Sequence, residues 1–495
     1  MNVSENKNVH LIKLNDIPCF DRDDFLAQLI IRCRMDKRVV AYFGVPEKSR
    51  VKVYAVLADD ERGGVHVSSA FFPEKGSYSC LTHHLPSFHM FERELFEQTG
   101  ILPEGHPWLK PVRYCHDRAD RKSSMAGYPF YTIPGEEVHE VAVGPVHAGV
   151  IEPGHFRFMC NGEKVYHLEI QLGYQHRGVE ELFPAHARFM PHLAESIAGD
   201  TAIGHNLAYC QAMEALADIE VTENAMLIRD IALELERIAV HINDLAAIAS
   251  DVAYLLGNAV LGAVRTLVIN TTQAVCGNRF GKGLIRPGGV LFNIDKADRP
   301  EIKKTLKRVK DTVRDMCGIM FSSPTVLSRL EKTGVVEMET AHRIGLVGMS
   351  ARASGLGLDI RSDFPDKVYG ELQIPKIVLP NGDVYSRARI RFLEILSSIE
   401  FIEKALDGLR EDGTMREAEY KLEKESMAIS LTEGWRGEIV HVGLTDEDGK
   451  LVRYKVKDPS FNNWFGLSLA VRNNGVSDFP LCNKSFNLSY CGHDL

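Results

Sequence analysis

The chain has 495 residues, 45% hydrophobic and 25% charged, with a formal net charge of -9. That composition excludes disordered, collagen-like and disulfide-scaffold classes, and the acidic balance argues against nonspecific nucleic-acid binding, which needs concentrated Lys and Arg. The length exceeds one simple core and predicts roughly two to four compact units.

The amino terminus, MNVSENKNVHLIKLNDI, lacks the basic flank, apolar run and cleavage site of a secretory signal. Asp21 to Arg34 predicts a helix, with Asp21 as N-cap and Phe25, Leu26, Leu29 and Ile30 on one face. RVVAYFGV (38–45), VKVYAVLAD (51–59) and GVHVSSAFF are rich in β-branched and aromatic residues and predict strands, the first two split by the turn PEKS. A helix around His83 to Gln98 and the Pro- and Gly-punctuated GILPEGHPWLKP complete a small α/β unit. The polar run HDRADRKSSMAG suits a linker, so the expected division is 1–118, a linker 119–134, and a second unit 135–495.

The second unit opens with strand candidates VHEVAVG and FRFMCNGEKVYHLEIQLG, the latter carrying an Asn-Gly hairpin signal. Beyond Gly178 the pattern is mostly helical. Ile231, Leu235, Ile238, Ile242 and Leu245 form an apolar stripe at offsets of three and four. Asp230, Glu234, Arg237, His241 and Asp244 form a charged stripe beside it, which by base rate is a solvated face. Further helices are expected at Pro300 to Met316, Thr340 to Leu346 and Ser386 to Leu409, and terminal strands in RGEIVHVGL and KLVRYKVK. The apolar region Ile248 to Ile269 is broken by Asp251 and Arg265 and falls short of a clean membrane span. The expected fold class is therefore α+β: a small α/β domain, then a larger, mainly helical domain with peripheral β-hairpins.

Ten cysteines are scattered with no C-x-x-C pair, so a zinc knuckle or self-contained iron–sulfur site is improbable. GPVHAGVIEPGHFRF clusters His147, Glu152 and His155 beside glycines. It reads either as a proton-handling loop or as a hairpin with solvated polar residues. In GYQHRGVEELF, His176 and Arg177 precede Glu180 and Glu181, and Arg177 with Glu181 is at least a helical i,i+4 pair. Arg352, Asp359 and Arg361 surround a Gly-rich bend; buried, such charges would mark a site, and exposed they mean little.

The order of these runs carries more than any one of them. ERELFEQTGILPEGHPWL, GPVHAGVIEPGH, GYQHRGVEEL, ELERIAVHINDLAAIASD, RFGKGLIRPGGV, GMSARASGLGLDIR, GDVYSRARIRFLEI and WRGEIVHV with DPSF resemble the core of respiratory complex I and the related group 4 membrane-bound nickel–iron hydrogenases, of the hydrogenase-4 and formate hydrogenlyase type. The resemblance implies a 30 kDa-like electron-arm unit fused to a quinone-site unit that shares the hydrogenase large-subunit fold. Hydrogenases of this family hold nickel and iron with two C-x-x-C pairs, since soft thiolates suit those metals. Here the four positions fall on Ala198, Thr201, Ser460 and Asn463, so no metal is expected. In complex I the quinone pocket uses a His, an Asp that orients it, and a Tyr. These match His155, Asp251 and, in place of the Tyr, Gly199, with His147 or Tyr209 as candidate substitutes. Glu152 matches a proton-transferring Glu and Arg436 an Arg over the metal site.

The resemblance thus implies an oxidoreductase subunit, NADH:quinone oxidoreductase-like or hydrogenase-like and active only within a complex, that passes electrons to a quinone. NAD binding enters only as a family property. The chain itself would bind no cofactor; a four-iron cluster on a small partner subunit would sit against His176, Arg177, His205 and Tyr209. A ferredoxin-like iron–sulfur subunit and antiporter-like membrane subunits complete the implied partners, with the chain peripheral on the cytoplasmic face of the cell membrane. A small acceptor such as a sulfur compound or protons, or a redox-inactive scaffold, are the competing readings.

Overall fold

The computed structural model describes residues 7–119, 121, 123–148, 151–410 and 413–495. The amino-terminal part runs β1 (Val9–Lys13), β2 (Cys19–Phe20), α1 (Arg22–Arg34), β3 (Arg38–Glu47), β4 (Arg50–Asp59), β5 (Gly64–Pro73) and α2 (His89–Thr99). β2, β5, β4 and β3 form one sheet in that order. Strand alternation gives it two buried faces. Val53, Ala55 and Leu57 pack with Phe25 and Leu29 of α1 and Leu95 of α2, while Tyr54, Val56 and Ala58 point the other way.

That other face meets a second sheet. β9 (Ser426–Gly434), β10 (Gly437–Thr445) and β11 (Leu451–Lys457) lie antiparallel in the order β1-β9-β10-β11, and Met427, Ile429, Val440 and Val442 share a core with the first sheet. β1 is the edge of this carboxyl-terminal sheet, with Leu11 opposite Ala428. Two buried ion clusters also cross the junction: Arg38 pairs with Glu438 at 2.7 Å, and Lys455 lies 2.6 Å from Glu94 and 2.7 Å from Glu180. Segment 119–134 carries no helix or strand among its described residues; Asp120 and Lys122 lie outside them.

Next come β6 (His139–Val143), β7 (His155–Asn161) and β8 (Lys164–Gln171) in a three-stranded sheet, then α3 (Val179–Leu182) and α4 (Ala202–Ala217). The helical body is built on α5 (Glu223–Asp251), α6 (Leu255–Cys276), α7 (Arg299–Met320) and α8 (Val384–Gly408), and the chain closes with α9 (Pro459–Ala470) and α10 (Phe479–Phe486) after the carboxyl-terminal sheet. The expected small α/β part followed by a larger helical part with peripheral strands is what the chain adopts.

Helix α5 runs through the centre, its amino terminus capped by Thr222, whose hydroxyl accepts from Ala225 N. Ile231, Leu235, Ile238, Ile242 and Leu245 are all buried, each worth roughly 1.5–3 kcal/mol of transfer free energy. The charged stripe beside them departs from expectation. Asp230, Glu234, Arg237, His241 and Asp244 are buried as well, because α8, β9 and the bend at 348–361 bring counter-charges onto that face. Glu394 of α8 accepts from His241 at 2.8 Å and from Arg352 at 2.7 Å, Arg352 also reaches Glu433 at 2.8 Å, and Arg361 bridges Asp359 at 2.8 Å and Glu234 at 3.3 Å. Burial pushes Glu394 up, but Arg352, His241 and Arg361 outweigh it and hold it well below the usual carboxylate range.

Candidate functional site

Two helix starts meet at the four positions where the family's cysteines would stand. Thr201 immediately precedes α4, and Ser460 lies in the first turn of α9, capped by Asp458, whose carboxylate accepts from Ser460 N at 2.7 Å. His205, in the first turn of α4, donates Nε2–H to Asp458 at 2.9 Å and joins the two starts.

The side chains at these positions are occupied within the protein. Thr201 Oγ1 lies 3.2 Å from Asp200 and accepts from Arg436 at 3.0 Å; Ser460 Oγ accepts from Ser489 N at 2.8 Å; Asn463 clasps Val347 N and O at 3.1 and 3.2 Å. Ala198 has no donor atom. Neutral oxygen and amide groups already satisfied by hydrogen bonds do not fit nickel or iron held by soft thiolates. Among the described residues, no three His, Cys, Asp or Glu side chains gather as a metal cage.

Behind Asp458 runs a chain of buried polar groups. His205 Nδ1 is 3.2 Å from His441 Nε2, and His441 Nδ1 is 2.9 Å from the Tyr454 hydroxyl. One proton arrangement satisfies every atom: Tyr454 donates to His441, His441 to His205, and His205 to Asp458. Burial holds His441 neutral, well below its ordinary value. Burial pushes Asp458 up, but the His205 hydrogen bond and the Arg436 charge prevail and bring it down to about 2.

Arg436 is buried beside Thr201. It grips Asp200 through two bonds of 2.7 Å, donates Nε–H to Asn487 O, and stacks 3.9 Å above the Trp435 ring. Asn487 in turn donates to Asp244 at 2.6 Å, and Asp244 accepts from Arg391 at 2.8 Å. The charged stripe of α5 is thereby continuous with the site.

The glycine-rich loop is closed by two histidine-to-carbonyl bonds, His155 Nδ1 to Gly144 O at 3.0 Å and His147 Nε2 to Gly154 O at 2.8 Å. Burial pushes His155 down. Gly149 of this loop lies outside the described residues. Glu152 stands beside the Cys491 thiol, which burial and that carboxylate push up to about 11. Asp251 ends α5, exposed and near Lys484, and no hydrogen bond joins it to His155 among the described residues.

The remaining predicted residues serve the frame around the site. His176 donates Nδ1–H to Asp494 O at 2.7 Å. Arg177 makes no ion pair with Glu181; it donates to Ser196 O and Ile197 O at 2.7 and 3.0 Å, fixing the turn that leads into Ala198. The Tyr209 hydroxyl accepts from Met190 N at 2.7 Å, and its ring stacks on Phe183. Gly199 faces open space: a Cβ there meets no atom within 4 Å.

Sequence reasoning missed Cys491, Asp458, His441 and Asp200. His441 and Asp458 lie inside the quoted WRGEIVHV and DPSF runs, whereas Cys491 reaches the site through the fold: its thiol is 3.5 Å from the hydroxyl of Ser489, whose N–H binds Ser460.

Residues 259–428 match the 49 kDa subunit family of the respiratory-chain NADH dehydrogenase and residues 21–129 its 30 kDa subunit family. The chain is 26% identical to hydrogenase-4 component G of Escherichia coli (strain K12), over 90% of this chain and 82% of that protein. It is 32% identical to membrane-bound hydrogenase subunit alpha of Pyrococcus furiosus, over 70% of this chain and 85% of that one. In fold it is similar to a chain of the membrane-bound sulfane sulfur reductase, an archaeal respiratory membrane complex, with a TM-score of 0.67 and 22% identity, covering 74% of this chain and 100% of the other.

Proposed function

Given that the chain belongs to the family of complex I 49 kDa-type and membrane-bound hydrogenase large subunits, with a 30 kDa-type segment ahead of it, we propose that it carries electrons from a partner's four-iron cluster to an acceptor at the junction of α4 and α9, without a nickel–iron centre. It is an oxidoreductase subunit that works within a membrane-bound multisubunit complex. The acceptor is a quinone, which takes up two electrons and two protons. His155 and Glu152 on the glycine-rich loop and Asp251 at the end of α5 handle those protons, and Arg436 supplies fixed positive charge where the reduced oxygen develops. The partners are the cluster-bearing small subunit, placed against His176, Arg177, His205 and Tyr209, a ferredoxin-like iron–sulfur subunit and antiporter-like membrane subunits.

The observation that carries this reading is the commitment of Thr201, Ser460 and Asn463 to hydrogen bonds inside the protein. It is tested by quinone reduction in the intact complex with His155→Ala and Glu152→Gln variants. Turnover that collapses in both, with the clusters still reducible, is the expected result; unchanged turnover removes the loop from the mechanism.

One observation favours a second reading. The Cys491 thiol next to Glu152 would suit a sulfur acceptor, whose S–S bond takes two electrons and two protons to give two thiols. Loss of polysulfide reduction in Cys491→Ser with quinone reduction intact would separate the two.

A further inference from the structure

Helix α6 is long and apolar yet mostly uncovered. Its most apolar stretch has a mean hydropathy of 1.3 and only 33% of it is buried. One side packs on α5 and α7. The other carries Leu255, 69% exposed, and Leu256, 58% exposed, and then exposed Ala259, Gly262, Ala263 and Thr266 at helical spacing. A Cβ at Gly262 meets nothing, so the middle of this face is a shallow trough. Towards α7 it continues into a cleft of about 300 Å³ lined by Leu267, Ala274, Ile294 and Ile302.

The flank of this face holds positive charge whose offsetting carboxylate, Asp244, is already engaged inside the protein. Arg265 Nε is sealed from solvent and has no hydrogen-bond partner. Burial and the neighbouring Arg279 both oppose its charged form, and only Asp244, already bonded to Arg391 and Asn487, offsets them. A guanidinium whose Nε has no partner, beside a second guanidinium that is exposed, can be answered by an acid from outside.

We propose that the outer face of α6 docks a helix of a partner subunit, one that lays apolar side chains into the Ala259–Thr266 trough and sets a carboxylate against Arg265 and Arg279. Small residues let two helix backbones approach to about 8 Å, which a wide apolar face would not require. Exposed Thr266, Asn270 and Gln273 interrupt the face and disfavour burial in lipid. The inference rests on the reading that the chain works inside a multisubunit complex, and it adds the surface and the chemistry of the partner. The partner's acid would also stand one residue away from Asp244, hence next to the charged run that ends at Arg436.

The test uses the intact complex, with a photo-crosslinking benzophenone amino acid at position 263 and, separately, Arg265→Glu and Ala263→Trp. The expected result is a crosslink to a helical peptide of another subunit bearing Asp or Glu, and retention of the chain in the complex weakened by about tenfold or more in Arg265→Glu. Melting of the isolated Ala263→Trp variant should be unchanged, since Ala263 is exposed, so its loss from the complex reports docking even where Arg265→Glu, half-buried and beside Asp244, costs stability. A crosslink to lipid alone, or full retention of both variants, would overturn the proposal. Acceptor reduction is recorded on the same preparations, so lost turnover in a fully assembled complex counts against the proposed function and not against the docking face.

Discussion

His205 donates Nε2–H to the carboxylate of Asp458 across 2.9 Å, with both side chains buried, and so locks the start of α4 to the start of α9. Because Asp458 also caps α9 through Ser460 N, the same carboxylate sets the helix and the site.

Asp458 is held at about 2 in the folded protein against an ordinary 3.8. A carboxylate depressed on folding contributes stability that is present above the unfolded value and lost as pH falls through the folded one. Its share, roughly 2 kcal/mol, should vanish between about pH 4 and pH 2. Acid titration of unfolding free energy in wild type and Asp458→Asn checks this: the variant's curve should be flatter in that window.

Gly199 stands where the family's quinone Tyr is expected, and a Cβ added there meets no atom within 4 Å. Gly199→Tyr should fold with a stability change of about 0.5 kcal/mol or less and lower the KM for quinone by adding a hydroxyl donor. Parallel melting and steady-state kinetics measure both. A raised KM would place the quinone head elsewhere.

Glu394 binds His241, Arg352 and Arg361 at once. Glu394→Ala removes one carboxylate from the buried Arg352 and Arg361 guanidiniums and the acceptor of His241, and should destabilise by about 3–5 kcal/mol in denaturant unfolding. A solvated stripe on α5 would give a change of about 0.5 kcal/mol or less.

This stripe shows what the sequence concealed. Its spacing was readable, but its environment depends on Arg352, Arg361, Glu394 and Glu433, more than a hundred residues downstream. The apolar stripe of α5, the first three long strands and the Asn161–Gly162 hairpin were legible because period and turn chemistry are local. Strand β9 (SMAISLTEG) was overlooked because Ser, Ala and Gly dilute its alternation; β1 was overlooked because its partner strand lies some four hundred residues away. At the site, motif resemblance alone singled out Arg436 and positions 198, 201, 460 and 463. The His205–His441 contact and the approach of Cys491 exist only in three dimensions.

Cys491 is pushed up to about 11, by burial first and then by Glu152. Alkylation should therefore be slow at neutral pH and quicken about tenfold per pH unit. Glu152→Gln removes the neighbouring negative charge and should speed alkylation at fixed pH, measured by mass spectrometry of the peptide containing Cys491.

The most direct test of the central claim is quinone reduction by the purified intact complex, driven by a low-potential artificial donor, with nickel determined on the same sample. Steady turnover with nickel far below one per chain is the predicted result. Stoichiometric nickel, or hydrogen evolution with no quinone reduction while the clusters still reduce, would contradict it.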